Sequence, residues 1–177
     1  MQTVSAPTLS LSQIVTPIGP MLGGAIDEGI CLLEFQDRQV VNDVAQSLSN
    51  QFTEQTSERA YQHLAQLEQE LHEYFKRTRK EFSVPLVPTG TGFQKTVWSA
   101  LQSIPYGSTR TYLQQAKLIH HPDALRAVAA ANGANHIAIL IPCHRVVSSN
   151  GELTGYAGGL WRKRWLLDWE QANQRLF

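Results

Sequence analysis

Residues 137–147 read IAILIPCHRVV: five apolar residues, a proline, then a thiol, an imidazole and a guanidinium side by side before the chain turns apolar again. An apolar run of this kind is entering a core, and it reads as a strand that Pro142 ends in a turn at Cys143. A free thiol has a pKa of about 8.5 and is only a few per cent ionised at neutral pH, so a working cysteine needs an activator. In an extended segment His144 would point away from Cys143, because neighbours alternate faces. A turn at Pro142 brings the imidazole to the sulfur directly or through one water. A base needs an orienting acid in its turn. Glu170, embedded in the apolar run WLLDWE (165–170), is the candidate.

Working outward, the second half of the chain is mostly helical. FQKTVWSALQSI (93–104) carries Phe93, Val97, Ala100, Leu101 and Ile104 on one stripe and is stopped by PYG. STRTYLQQAKLI (108–119) opens on Ser/Thr capping candidates and predicts a short helix. HHP is a turn, and PDALRAVAAAN (122–132) predicts an Ala-rich helix with Pro122 near its start and Asn132-Gly133 at its close. Two short helices joined this way read as a helix-turn-helix. SSNGELTGYAGG (148–159) is a polar, Gly-rich loop, and LWRKRWLLDWEQAN (160–173) a final amphipathic helix with Leu160, Trp165, Leu166 and Trp169 available for packing. The basic triplet 162–164 reads as a solvated face.

The first half opens with three strand-like pieces, QIVTPIG, PMLGGAID and GICLLEFQ, bounded by Gly and Asp turn signals. A helix follows with Val40, Val41, Val44 and Leu48 on one face. A second carries Tyr61, Leu64, Leu67, Leu71 and Phe75 and ends in the cluster KRTRK (76–80), a solvated end that complements the helix dipole. FSVPLVPTGTG (82–92) then breaks every period. The boundary is placed near residue 88, giving an N-terminal domain over 1–88, a small antiparallel sheet with helices, and a mostly helical domain over 89–177. The fold class is α/β, of the α+β kind.

Composition narrows the function. Of 177 residues, 42% are hydrophobic and 17% charged, ordinary for a globular protein. No apolar run approaches the roughly 20 residues of a membrane helix, and the start lacks the basic and apolar regions of a signal peptide. A cytoplasmic location is expected. Cys31 and Cys143 are the only cysteines, too few for a disulfide framework and without zinc spacing; Cys31 reads as core. Net charge is zero, but residues 1–88 carry 6 Lys/Arg against 11 Asp/Glu and residues 89–177 carry 9 against 4. The basic half is the one suited to a polyanion.

ILIPCHRVV, followed by GYAGG (155–159) and RKRWLLDWE (162–170), resembles the O6-alkylguanine-DNA alkyltransferases, also called methylated-DNA–protein-cysteine methyltransferases. Pro142-Cys143-His144-Arg145 matches that family's active-site signature, with Tyr112, Arg126, Asn135, Tyr156 and Glu170 at matching offsets; the motifs cover roughly 89–171. The resemblance implies a single-turnover transfer of the alkyl group from O6-alkylguanine in DNA, and from O4-methylthymine, to Cys143. His144 would be the base, Glu170 its orienting acid, and Tyr112 the donor to the leaving base. Arg126 would take the flipped base's place in the stack, with Tyr112 and Asn135 also at the DNA side and Asn135 shaping the turn before the active-site segment. Tyr156, Ala157, Gly158 and Val146 would line the pocket.

The implied partner is double-stranded DNA carrying alkylated bases, bound through the minor groove by a monomer. ALRAVAAAN (124–132) suits it: a helix reading major-groove edges normally brings Arg, Asn and Gln, whereas small side chains allow close approach to a narrow groove. Ala157 departs from the Ser that many members carry there, removing a possible donor to the base. The zinc ligands and the four-cysteine sensor domain of some members have no counterparts, so no cofactor, no metal and no transcriptional role are expected. Two rivals remain at this point: a damage-binding module without transfer, and a cysteine hydrolase using Cys143, His144 and Glu170.

Overall fold

Three strands open the chain because PMLGGAID and GICLLEFQ are apolar runs cut by the turn at Asp27-Glu28. β1 (Ser10–Ile14), β2 (Met21–Ile26) and β3 (Gly29–Phe35) form an antiparallel sheet in that order, Ser10 opposite Ala25 and Met21 opposite Phe35, with a register shift at Gly24/Ala25. The computed structural model describes residues 8–38, 41–51 and 57–174, and the chain divides into two compact units, Met1–Pro88 and Thr89–Phe177.

In the first unit every residue of β3 is buried, since both faces of the sheet are covered. α2 (Glu58–Phe75) lays Leu64, Leu67, Leu71 and Tyr74 against it, with Leu64 and Leu67 closing on Gly23. Leu9, Ile26, Cys31 and Leu32 make a second cluster with Leu48 of α1 (Val41–Gln51). Cys31 is buried there and its thiol is pushed up to about 12, which makes it inert at neutral pH. The segment before the boundary also pairs with β3: Ile30 N–H donates to Pro85 O at 2.8 Å and Val87 N–H to Ile30 O at 2.7 Å. Gly29 permits this approach, because at its φ of 150° a Cβ would stand 2.4 Å from the Pro85 oxygen.

Some expectations need correcting here. Tyr61 is 63% exposed, and Tyr74, which falls on the buried stripe, takes the place in the core. The KRTRK end is only partly a solvated face, since Arg79 pairs with Glu73 at 2.6 Å. Val40 lies outside the described residues.

The second unit begins with α3 (Gly92–Gln102), capped reciprocally by Thr91 and Gln94. α4 (Tyr112–Leu118) has the same box from Thr111 and Gln114, which fixes Tyr112 as its first residue. α5 (Leu125–Gly133) starts three residues after Pro122 and has no side-chain cap. β4 (Arg110–Thr111) runs parallel to β5 (Val146–Val147), and α6 (Leu160–Gln174) closes the described chain. On α6, Leu160 is 48% exposed and does not pack, while Trp165 and Trp169 are half-buried and stacked at 4.9 Å.

The run 137–141 enters the core as expected, but not as a strand. All five side chains are buried, and the backbone turns: Leu140 N–H donates to Ala138 O at 2.8 Å, and Ile141 N–H to Ile137 O at 3.0 Å. Ile139 sits at φ 71°, a strained position for a β-branched residue. An apolar run shows that a segment is buried, not which backbone it adopts. Asn135 supplies the bonds a strand neighbour would have given. Its Oδ1 accepts from Ile137 N–H at 3.0 Å and its Nδ2 donates to Ile141 O at 2.8 Å.

Candidate active site

Pro142 leads into a 3-10 turn over Cys143–Arg145, and the turn resolves the adjacency of thiol and imidazole, since the thiol and the two basic side chains meet different surroundings. Cys143 opens on a cavity of 630 Å³, while His144 and Arg145 point inward to Glu170 of α6. The Nδ2 of Asn135, 3.3 Å from Cys143 Sγ, presents a donor to the sulfur.

Behind the thiol is a buried charge cluster. His144 and Glu170 are fully buried, with Nε2 and Oε1 2.9 Å apart. Arg145 donates through Nε to Oε2 at 2.9 Å and through Nη2 to Oε1 at 3.0 Å, while its Nη1 reaches Ile104 O at 2.7 Å. Gly107 N–H adds a bond to Oε2 at 3.1 Å. Burial alone would push the Glu170 carboxyl up, but His144 and the bidentate guanidinium hold it well below the usual range. Burial pushes the His144 imidazole down, against the pull of Glu170 and with help from Arg145.

Those two directions fix the tautomer. An ionised carboxylate only accepts, so Nε2 of the neutral ring carries the proton and Nδ1 carries the lone pair. Nδ1 is buried and has no hydrogen-bond partner in the protein. The imidazole is therefore a base with its basic atom uncommitted. Burial is the main reason the ring stays neutral beside a carboxylate, and Arg145, given no role by the sequence reading beyond its place in the motif, adds to it while neutralising Glu170.

Tyr112, Leu125, Arg126, Ala129, Asn132, Gly133, Thr154, Gly155, Tyr156 and Ala157 complete the cavity around Cys143. α4 thus contributes its first residue, α5 one face including exposed Arg126, and the Gly-rich loop the opposite wall. The Tyr112 hydroxyl donates to Thr154 O at 2.9 Å, and burial, opposed by that bond, raises its pKa, so it stays protonated.

Three site expectations are corrected. Val146 is fully buried in β5 and does not line the cavity. Gly158 is absent from the lining and uses its carbonyl to accept from Arg162 at 2.9 Å. Asn135 is 3% exposed with its amide spent inside the protein, which leaves nothing to offer DNA.

The basic triplet holds the residues missed. Arg162 and Lys163 are buried, and only Arg164 faces out. Lys163 donates to Thr154 O at 3.1 Å and to Gly155 O at 3.2 Å, with its ammonium 5.8 Å from the Tyr112 ring centre. Burial brings its pKa down to about 8. The two cations tie the pocket loop to α6. The signal was available: 162, 163, 166, 167 and 170 share one helical face, which Leu166 and Glu170 mark as inward. Among the described residues no group of three or more His, Cys, Asp or Glu could hold a metal ion, and no helix is long and apolar enough to cross a membrane.

A cysteine with a buried histidine and glutamate beside it, opening on a cavity walled by a helix-turn-helix, defines a cysteine-centred site on a helical unit. The chain belongs to the 6-O-methylguanine DNA methyltransferase family: that family's DNA binding domain matches residues 92–172 and its ribonuclease-like domain residues 12–88. It is 44% identical to the methylated-DNA–protein-cysteine methyltransferase of Methanosarcina acetivorans, across 88% of this chain and 94% of that one. It is 38% identical to the constitutive methylated-DNA–protein-cysteine methyltransferase of Bacillus subtilis, across 90% and 94%. The crystal structure of Mycobacterium tuberculosis O6-methylguanine methyltransferase superposes with a TM-score of 0.80 at 37% identity, covering 93% of this chain and 94% of that one. The Mycobacterium tuberculosis OGT structure in complex with DNA superposes at 0.79, with 37% identity over 94% of each chain.

Proposed function

We propose that the chain repairs alkylated DNA by direct reversal, moving an alkyl group from O6 of guanine, and from O4 of thymine, onto Cys143 once per molecule. One observation carries this reading: the thiol faces a cavity walled by helix-turn-helix residues, while the neighbouring His144 is held through Nε2 on the buried Glu170 carboxylate and keeps Nδ1 uncommitted. The Cys143 proton passes to Nδ1 of His144, directly or through one water, and Glu170 stabilises the imidazolium. The sulfur attacks the alkyl carbon, an S–C bond forms, and the C–O bond breaks with its electron pair leaving on the base. Tyr112, protonated and at the cavity wall, donates to that departing base.

The base reaches the cavity by leaving the duplex, and Arg126, exposed at the lip on α5, fills the gap. The outward residues of α5 around it are mostly alanine, which suits minor-groove docking of a sequence-indifferent repair protein. No cofactor enters the reaction as written, because the thiol is itself the acceptor. The chain acts as a cytoplasmic monomer.

A thioether has no route back to thiol, so the reaction stops after one event. Incubation with excess duplex containing O6-methylguanine should raise the intact mass by one methyl, located on Cys143 by peptide mapping. Cys143→Ala should abolish transfer and keep duplex binding. Sustained turnover without an adduct would establish a hydrolase, and binding without an adduct a damage sensor.

A further inference from the structure

α5 meets the rest of its unit through small side chains: Val128 and Ala131 are its buried apolar residues. Such a contact specifies register poorly, because a small-residue helix slides with little change in packing. Yet Arg126 on this helix and Tyr112 on α4 face one cavity. The bonds that fix one helix against the other are polar and buried. Gln115 of α4 is fully buried, and its Nε2 donates to Asn132 Oδ1 at 2.9 Å. Asn132 Nδ2 donates back to Gln115 Oε1 at 2.7 Å. The same Gln115 Nε2 lies 3.4 Å from Val97 O of α3, so every polar atom of this amide is used. One residue earlier on α5, Ala131 O accepts from Trp98 Nε1 of α3 at 2.8 Å.

We propose that Gln115 is a positioning residue, setting through its reciprocal amide pair with Asn132 the register of α5 against α4, and thereby the spacing of Arg126 from Tyr112 and Cys143. This rests on the reading of the site as a DNA alkyl acceptor. A buried amide pair adds little net stability over apolar packing of the same shape, because both amides lose water to form it. What it adds is direction: two antiparallel N–H···O bonds hold at one register and break when the helix slides by a residue. A misplacement of about 1 Å at a reacting site is enough to slow a reaction about a hundredfold. The duplex reaction needs α5, α4 and the thiol in register together. Reaction of a free alkylated base makes no demand on Arg126.

The test uses the full chain with Gln115→Met, of similar length and without hydrogen bonds. Because that variant leaves the Asn132 amide unpaired, Gln115→Met/Asn132→Leu is made beside it to remove both polar groups. Transfer to Cys143 is timed with O6-methylguanine duplex and with free O6-benzylguanine. Duplex affinity is measured for the same substitutions in the Cys143→Ala background. The expected result is an approximately tenfold fall in the duplex-to-free-base rate ratio and a severalfold weaker duplex affinity, in both variants, at temperatures where they are folded. A lower melting temperature with ratio and affinity both at the wild-type value would overturn the proposal and leave the pair a packing feature. Absence of transfer in the unsubstituted chain would sink the alkyl-acceptor reading instead, and the affinity measurement would still decide the role of Gln115.

Discussion

Glu70 of the first unit, at 2% exposure, and Glu170 of the second, at 0%, are both buried carboxylates, and the two are stabilised differently. Glu70 of α2 accepts from Ser83 N–H at 2.9 Å, Val84 N–H at 3.2 Å, the Ser83 hydroxyl and Gln66 Nε2 at 2.9 Å, with Arg79 3.7 Å away. Burial alone would raise this carboxyl, and the hydrogen bonds from Ser83, Gln66 and Val84 bring it below its ordinary value. It ties the chain after α2 back onto the helix. Glu170 is held by a guanidinium and an imidazole, and the imidazole has a second nitrogen that nothing in the protein occupies. A buried carboxylate ringed by backbone amides is a finished structural knot. One that holds a titratable ring can pass a proton onward.

The largest expected effect comes from breaking that contrast on the catalytic side. Glu170→Gln keeps the shape, removes the charge that would stabilise an imidazolium, and leaves a buried guanidinium without its counter-charge. Alkyl transfer per folded molecule should slow by on the order of 10²–10⁴, and stability should fall by about 3–5 kcal/mol. All four tryptophans (98, 161, 165 and 169) lie in the second unit, so their fluorescence reports its folded fraction while mass spectrometry times the transfer. An unchanged rate would make Glu170 a second knot like Glu70.

Next in size is Arg126→Ala. Extruding a base costs a few kcal/mol of stacking and pairing, part of which a side chain in the gap recovers. The duplex reaction should slow at least tenfold while free O6-benzylguanine reacts nearly as before; Tyr112→Phe should slow both. Equal losses on the two substrates for the Arg126 variant would assign it to the pocket wall.

The same contrast explains what the sequence allowed one to read. Capping boxes, Gly and Pro breaks and apolar periods are local, so the second and third strands and the helix-turn-helix were legible from short windows, as was a thiol with an adjacent imidazole. The first strand was misplaced, because QIVTPIG shares only Gln13 and Ile14 with β1 and its remainder is a turn. The turns at 137–141 were not, because the partner that replaces strand pairing is the Asn135 side chain, a tertiary fact. Arg162 and Lys163 were misread because a charge is expected outside; only the carbonyls of Gly158, Thr154 and Gly155, brought close by the fold, let them stay in. Arg145 was likewise opaque until Glu170 and Ile104 O were seen on either side of it.

Glu70→Gln is the smaller perturbation. One acceptor oxygen becomes a donor facing Ser83 and Val84 N–H groups, a mismatch worth about 1–3 kcal/mol. Amide exchange at Ser83 and Val84 should quicken, and alkyl transfer should stay within twofold of the unsubstituted rate. A rate loss on the scale of Glu170→Gln would erase the distinction between knot and relay.

The smallest effect is a pH slope that only one of the two glutamate sites should show. His144 has its folded pKa lowered, so the folded unit resists a proton that the unfolded chain accepts near pH 6.5. Stability from this group is complete above that value and is lost as pH falls below it. Glu170 and Glu70 are also lowered, but their contribution is lost only below the ordinary carboxylate value of about 4.3. Lys163, brought down to about 8, adds a slope only at the upper end of the interval from pH 7.5 to 5.5. It cancels when a His144 variant is compared with the unsubstituted chain, so the difference reports the imidazole. His144→Gln keeps a donor for Glu170 and removes the titration. The urea midpoint of the second unit, followed by tryptophan fluorescence, should fall more for the unsubstituted chain than for this variant over that interval, with the remaining histidines cancelling in the difference. Glu70→Gln should leave the slope unaltered. Parallel slopes for the unsubstituted chain and His144→Gln would mean that the ring is already protonated in the folded state, and the neutral base with an open Nδ1 would have to be given up.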